Sequence, residues 1–212
     1  MSEETQTGKD KYKKSLNLPK TKFSMRANLV QNEPRFQKYW SKIDLYKTIL
    51  GISEGRERFI FHDGPPYANG SIHMGHLLNK VLKDLVVRTK TMAGYHVEFV
   101  PGWDCHGLPI EHKVMQELGG KARDMTALEI RQKCKSYASK QVRHQAKQMQ
   151  ALGTIGDYDK PYLTMIPAYE GGVLDVFADL VEQGLVFRTL KPVNWSIANQ
   201  TALADAALEY KD

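Results

Sequence analysis

Apolar residues recur along the chain at two spacings, and each spacing dictates an element. Met74, Leu77, Leu78, Val81, Leu82, Leu85 and Val86 fall at i, i+3, i+4, i+7, i+8, i+11 and i+12, the single stripe of an amphipathic helix. Gly94 follows, a residue suited to the left-handed conformation that ends helices. Before the helix lies the dense apolar run Phe59, Ile60, Phe61, which reads as a short buried strand. After it, residues 97–100 read as a second strand, closed by Pro101 and Gly102. Strand, loop, helix and strand form a βαβ unit, whose two strands must be parallel.

Helical spacing returns elsewhere. Asn32, Glu33 and Pro34 look like a helix start, with Asn32 as cap and proline in the first turn. Phe36, Tyr39, Trp40 and Ile43 continue it. Thr126 and Glu129 form a capping box that opens a long, largely polar helix towards Leu152. A loop over 153–164 leads to a helix over 169–183, with Val173, Val176, Phe177, Leu180 and Val181 on one side and Gly184 at its end. Residues 185–187 and 193–195 read as short strands, and 202–210 as the start of an Ala-rich helix or strand. The chain is expected to stop in mid-fold.

Composition narrows the class. With 212 residues, 42% hydrophobic and 25% charged, the chain is globular rather than disordered or fibrous. No apolar run is long enough for a membrane span, and the start MSEETQTGKDKYKK lacks the apolar core of a secretory signal. Two cysteines, Cys105 and Cys134, do not make a disulfide scaffold, so the cytoplasm is the expected compartment. The positive charge is concentrated at one end. Residues 1–50 hold 11 Lys+Arg against 5 Asp+Glu, and the remainder holds 19 of each. Residues 1–22 therefore read as a basic flexible arm, either a solvated tail or a contact for a polyanion such as tRNA.

The chemistry gathers where the first strand meets the helix, at HDGPPYANGSIHMGH over 62–76. In an open parallel sheet, ligands bind at the carboxyl ends of the strands. The free amides and positive dipole end of a helix start favour phosphate there. His73 and His76, at i and i+3, project from the same side of that first turn, and Gly75 lets a flat ring or a phosphate approach the backbone. This donor cluster suits displacement at phosphorus; a zinc site or a pair of packed histidines are the rival readings. The second strand ends in PGWDCHGLPIE over 101–111, on the same rim. Asp104 is placed there to pair a substrate ammonium, or else to cap the helix that begins near Leu108. Cys105 and His106 are weighed as a nucleophilic dyad and set aside, since neighbours on an extended loop point apart, and Trp103 reads as a packing residue.

GPPYANGSIHMGH together with PGWDCHGLPIE resembles the N-terminal catalytic portion of the class I aminoacyl-tRNA synthetases, in the isoleucyl branch. His73-Met74-Gly75-His76 matches their first signature, and NLPKTKFSMRANL (17–29) and KPVNWSIANQTALADAALEY (191–210) are similar to that branch as well. The resemblance implies an α/β chain: the first half of a Rossmann-like nucleotide-binding fold with parallel strands over 23–190, preceded by the basic arm and helix. Residues 191–212 would begin the connection to an editing insertion. It also implies isoleucine–tRNA ligase activity, with ATP and Mg²⁺ used to make isoleucyl-adenylate and tRNA(Ile) as acceptor. His73 and His76 would stabilise the α-phosphate transition state, and Asn69, Gly70 and Gly75 would lie near ATP. Asp104 would hold the isoleucine ammonium, and Pro65 would line the side-chain pocket. Two departures bear on this. Ser196 and Asn199 stand where related enzymes carry a zinc-binding Cys pair, so no zinc is expected, and no KMSKS-like loop occurs. The resemblance thus implies a fragment of a longer enzyme, a truncated nucleotide-binding module being the alternative, or else a small HxGH nucleotidyltransferase.

Overall fold

The computed structural model describes residues 22, 24, 26–205 and 208. The chain divides into two units, Met1–Lys42 and Ile43–Asp212. In the first, the described element is helix α1, Leu29–Lys42. The expected Asn32 cap is not used. Asn28, with φ 44°, accepts from the amides of Gln31 and Asn32, so the helix starts a turn earlier and Pro34 lies inside it. The Asn32 side chain instead donates to the Ala27 carbonyl at 2.6 Å. The expected arm over 1–22 lies, but for Lys22, outside the described residues.

The second unit begins with helix α2, Leu45–Ile52, and is organised around one extended segment, 96–104, that bonds to neighbours on both sides. Towards the first side it forms parallel bridges, Arg58 to His96 and Tyr67 to Asp104. Towards the other, strand β1 (Gly102–Trp103) pairs in parallel with β2 (Tyr162–Leu163), Gly102 opposite Tyr162. Gly102 is required, because a Cβ there would lie 2.1 Å from the Tyr162 ring. Helix α3, Met74–Met92, crosses between the first and middle segments. Helices α4 (Leu108–Leu118) and α5 (Ala127–Ala151) cross between the middle and third. Helix α6, Pro167–Glu182, follows β2. This is the α/β arrangement with parallel strands that the spacing predicts.

Several elements start where the sequence places them. Thr126 and Glu129 form the expected box, the Glu129 amide donating to the Thr126 hydroxyl and the Thr126 amide to the Glu129 carboxylate. Gly94 and Gly184 adopt φ 98° and 70° after α3 and α6. Others differ. The Phe59–Phe61 run is not a fully buried strand: Ile60 is 83% exposed, and the pairing is confined to the bridge at Arg58. Residues 185–187 form no strand, with Leu185 and Phe187 exposed. The expected strand over 193–195 is a hairpin further on, β3 (Trp195–Ser196) antiparallel to β4 (Thr201–Ala202). In its turn the Ser196 hydroxyl accepts from the Asn199 amide at 3.3 Å. Of the Ala-rich stretch, residues 206, 207, 209 and 210 lie outside the described residues.

The largest difference is the orientation of α3. Its predicted apolar stripe is open: Leu78, Leu82 and Leu85 are 65, 53 and 54% exposed. The buried side chains of the helix are Lys80 and Val87. The reason is electrostatic. Asp63, 2% exposed, accepts from both Lys80 and Lys83, and a buried carboxylate must be paired. That pairing turns the lysine side of the helix inward. The stripe on α6 is likewise exposed, Val173 and Val176 by 56 and 60%. The core lies beneath the loops instead, with Ala68, Trp103, Cys105, Ile110, Ala138, Val142, Met149 and Met165 in one cluster and Val87, Val97 and Phe99 in another.

Candidate functional site

The two signature loops are joined through their backbones. The Asp104 amide donates to the Pro66 carbonyl, and the Ala68 amide donates to the Asp104 carbonyl, each at 2.8 Å. Pro65, half-buried, immediately precedes this bridge. Asn69 and Gly70 follow it, Gly70 in the left-handed region at φ 72°, which glycine occupies without strain. The Asn69 side-chain oxygen accepts from the Tyr137 hydroxyl at 2.8 Å.

From Gly70 the chain enters α3 through its two histidines. His73 is the N-cap, and its Nδ1 accepts from the Gly75 amide at 3.1 Å. His76 Nδ1 accepts in turn from the His73 amide at 3.3 Å. The pair forms a capping box made from imidazoles, with ring centroids 4.0 Å apart. Two consequences follow from which nitrogen is engaged. Both Nδ1 atoms are acceptors, so each neutral ring carries its hydrogen on Nε2. Both rings therefore keep an outward N–H donor beside the helix start. Protonation of His76 would aim an N–H at the amide it now accepts from. Its pKa is held below the ordinary histidine value, chiefly by burial and then by the nearby His73 and Lys80. Gly75 has a local reason to be glycine, since a Cβ there would lie 2.9 Å from His73 Cε1. The ring that approaches this backbone is His73 itself.

Asp104 does not cap α4. Gly107 takes that position with φ 93°, and Asp104 Oδ1 accepts from the His106 amide at 3.2 Å and the Thr164 hydroxyl at 3.5 Å. Among the described residues no cation pairs with this half-buried carboxylate. Cys105 and His106 part, as expected. The Cys105 thiol donates to the Trp103 carbonyl at 3.6 Å and is raised in pKa, first by burial. His106 Nε2 lies 3.3 Å from Glu170 and 3.2 Å from the Thr164 carbonyl. Trp103 is fully buried, the packing residue the sequence indicates.

Sequence reasoning missed the support of the loop, which is the inner side of α5. His144 Nε2 and the Ser71 hydroxyl lie 2.9 Å apart, and the Ile72 amide donates to Gln148 Oε1 at 3.0 Å. Gln145, fully buried, reaches Trp103 and the loop carbonyls together. The signal was available as spacing: Tyr137, His144, Gln145 and Gln148 lie at i, i+7, i+8 and i+11, one side of a helix.

Known proteins share the sequence and the fold of this chain. The family model described as "tRNA synthetases class I (I, L, M and V)" matches residues 35–212. Over 201 residues the chain is 54% identical to the isoleucine–tRNA ligase of Kosmotoga olearia, and 55% to that of Thermotoga neapolitana. The isoleucine–tRNA ligase of Carboxydothermus hydrogenoformans is 50% identical. Each match covers 95% of this chain, which spans 22% of the length of those curated relatives. The solved LeuRS–tRNA–LeuAMS ternary complex of Agrobacterium radiobacter K84 is similar in fold, with a TM-score of 0.66 at 24% identity over 85% of this chain and 21% of that one.

Proposed function

The chain belongs to the class I tRNA synthetases of the I, L, M and V group, and from that premise we propose that it forms the amino-acid- and ATP-binding wall of an isoleucine–tRNA ligase. The observation that carries the reading is the parallel bridge between Tyr67 and Asp104. It sets a carboxylate-bearing loop beside a loop that runs straight into a histidine-capped helix start.

The reaction needs two things from such a wall. The isoleucine ammonium must be anchored so that its carboxylate points at the α-phosphorus of ATP, and charge developing on that phosphate must meet positioned donors. Asp104 supplies the anchor, held at Oδ1 by the His106 amide and the Thr164 hydroxyl. Pro65, beside the bridge, lines the isoleucine side-chain pocket. A carboxylate oxygen of isoleucine attacks the α-phosphorus, the bond to the bridging oxygen breaks, and pyrophosphate leaves with that electron pair. The Nε2–H groups of His73 and His76 face the oxygens that gain charge, while the Gly75 amide holds His73 Nδ1 in place. Asn69 and Gly70 flank the nucleotide, and Gly75 admits the His73 ring against the turn. The adenylate then passes isoleucine to tRNA(Ile). Magnesium would arrive on the ATP phosphates, which hold it through oxygen. Among the described residues no group of three or more His, Cys, Asp and Glu side chains is placed to hold a metal, and no described helix is long and apolar enough to cross a membrane.

Isoleucine-dependent exchange of pyrophosphate into ATP by the full-length protein is the test. His73→Ala and His76→Ala are each expected to lower the exchange rate by ~10²–10³-fold, the loss seen when one positioned donor is removed. Exchange that stays within about threefold in both variants removes the histidines from this role.

A further inference from the structure

Gln145 of α5 touches both signature loops at once, beside Trp103 on one and the 67–70 stretch on the other. Its Oε1 accepts from the Trp103 indole N–H at 2.9 Å. Its Nε2 donates to the carbonyls of Tyr67 at 3.1 Å and Gly70 at 3.0 Å, with the Asn69 carbonyl further off at 3.5 Å. The orientation of the amide is forced, because an indole N–H can only donate and carbonyls can only accept. One acceptor and two donors are thus matched to one donor and two acceptors, inside a core where the described buried side-chain polar atoms all have partners. No other side chain has this complement at this length. Glutamate would set a carboxylate oxygen against two carbonyls. Methionine would fill the volume while taking the partner from the Trp103 indole and the Gly70 carbonyl, the Tyr67 carbonyl keeping the Asn69 amide.

We propose that Gln145 is a positioning residue for adenylate formation, fixing the distance between the amino-acid anchor at Asp104 and the phosphate-facing turn at His73–His76. Trp103 immediately precedes Asp104, and Gly70 lies three residues before His73. The bridge at Tyr67 and Asp104 joins the loops through two backbone hydrogen bonds at one register, from the Asp104 amide to Pro66 and from the Ala68 amide to Asp104. Gln145 adds a second attachment on each side, to the indole and to the loop carbonyls, so the two loops move as one body. The inference rests on the adenylate reading for its kinetic consequence, but not for the brace itself. Each substrate still finds its own contacts when the brace is lost; what changes is where the carboxylate of one sits relative to the phosphorus of the other. Alignment is a property of the transition state, so the loss falls on kcat rather than on either KM.

The experiment compares the full-length protein with Gln145→Met, Gln145→Glu, Trp103→Phe and the Gln145→Met/Trp103→Phe double variant. For Gln145→Met, kcat of isoleucine-dependent exchange is expected to fall about 10²-fold, the effect of a misplacement of roughly 1 Å, with the KM for isoleucine and for ATP each within about threefold. Gln145→Glu, repelled by both carbonyls, loses at least as much. Trp103→Phe removes the indole donor together with part of a buried ring and loses less than Gln145→Met. The double variant falls short of the product of the two single losses, because both changes break one link. Hydrogen exchange at the Trp103 indole and at the 67–70 amides is read on the same samples and needs no turnover. Protection of both in the unsubstituted protein and its loss in Gln145→Met support the brace. A kcat within threefold in folded Gln145→Met, or a loss confined to one KM, overturns the inference. Unchanged protection in that variant overturns it whatever the kinetics give. Should Gln145→Met fail to fold, Trp103→Phe decides: unchanged kcat and unchanged protection of 67–70 overturn the inference. An unsubstituted protein without isoleucine-dependent exchange would refute the adenylate reading, and protection alone would then judge the brace.

Discussion

Replacing Gly75 by alanine separates the chemistry of the helix start from its stability. The new methyl carbon would stand 2.9 Å from His73 Cε1 and 3.1 Å from Nδ1, inside van der Waals contact, so the imidazole must swing away. Swinging breaks the bond from the Gly75 amide to His73 Nδ1, an N-cap interaction worth ~0.5–2 kcal/mol. Against this, alanine is favoured over glycine within a helix by roughly 0.5–1 kcal/mol. The two largely cancel, and the midpoint of thermal or urea unfolding is expected to move by an amount equivalent to no more than about 1.5 kcal/mol. Activity has no such compensation. If His73 Nε2–H meets the α-phosphate, its displacement removes one positioned donor, and exchange falls by ~10²–10³-fold. The assay pairs isoleucine-dependent ATP–pyrophosphate exchange with urea unfolding on the same preparation. Unchanged exchange in a variant whose His73 ring has demonstrably moved would refute the argument, because the donor would have proved dispensable.

Asp104→Asn keeps the shape of the anchor and removes its charge, so the KM for isoleucine is expected to rise at least tenfold with kcat less affected; an unchanged KM in steady-state exchange would return Asp104 to a purely local role at the loop. Asp63→Asn leaves Lys80 and Lys83 facing a neutral amide in a buried setting, and loss of one partner of a buried pair costs roughly 3–5 kcal/mol, measurable by urea unfolding. The pH dependence of stability carries a sign set by His76. Its folded pKa lies below the ordinary value, first because of burial, so its contribution is complete above an ordinary histidine pKa of about 6.5 and is lost as pH falls below that through the folded value. Unfolding midpoints taken across that acidic window should fall more steeply in the unsubstituted protein than in His76→Gln.

What the sequence revealed and what it hid divide along one physical line. Signals carried by neighbours in the chain were legible: the Thr126–Glu129 box, the glycines at 94 and 184, and the parallel sense of the βαβ unit. The pairing itself falls beside the apolar runs over 59–61 and 97–100 and not within them, at the Arg58–His96 and Tyr67–Asp104 bridges and in the strand Gly102–Trp103. The site was legible as far as its loops were, because glycine, proline and histidine at those spacings admit few conformations. Signals carried by partners far away in the chain were not. The apolar spacing of α3 gives no sign that Lys80 and Lys83 reach Asp63, 17 and 20 residues away, and it is that side of the helix that lies inward. Gln145 sits in a polar run of α5, where an amide reads as surface until Trp103 and the 67–70 loop are seen against it. Asn32 lost the cap because the helix begins a turn earlier, where the Asn28 carbonyl accepts from the Gln31 and Asn32 amides and leaves Asn32 inside the helix.

The bonds that brace the loops also impose an order in time. They span 42 residues from Trp103 to Gln145, 75 from Gly70 to Gln145 and 76 from Ile72 to Gln148, whereas the imidazole box at His73 closes within 3. Local contacts form early and at little entropic cost, while distant ones wait for their partners to exist. At ~5–20 residues per second, the stretch from the end of α3 to Gln148 takes on the order of 3–10 s to synthesise. Through that interval a nascent chain can wind α3, cap it with both histidines and join the loop to Asp104, yet the bonds from α5 that brace the loop are still missing. The histidine box thus precedes the full support of the loop that leads into it, which is complete only when the last third of α5 arrives.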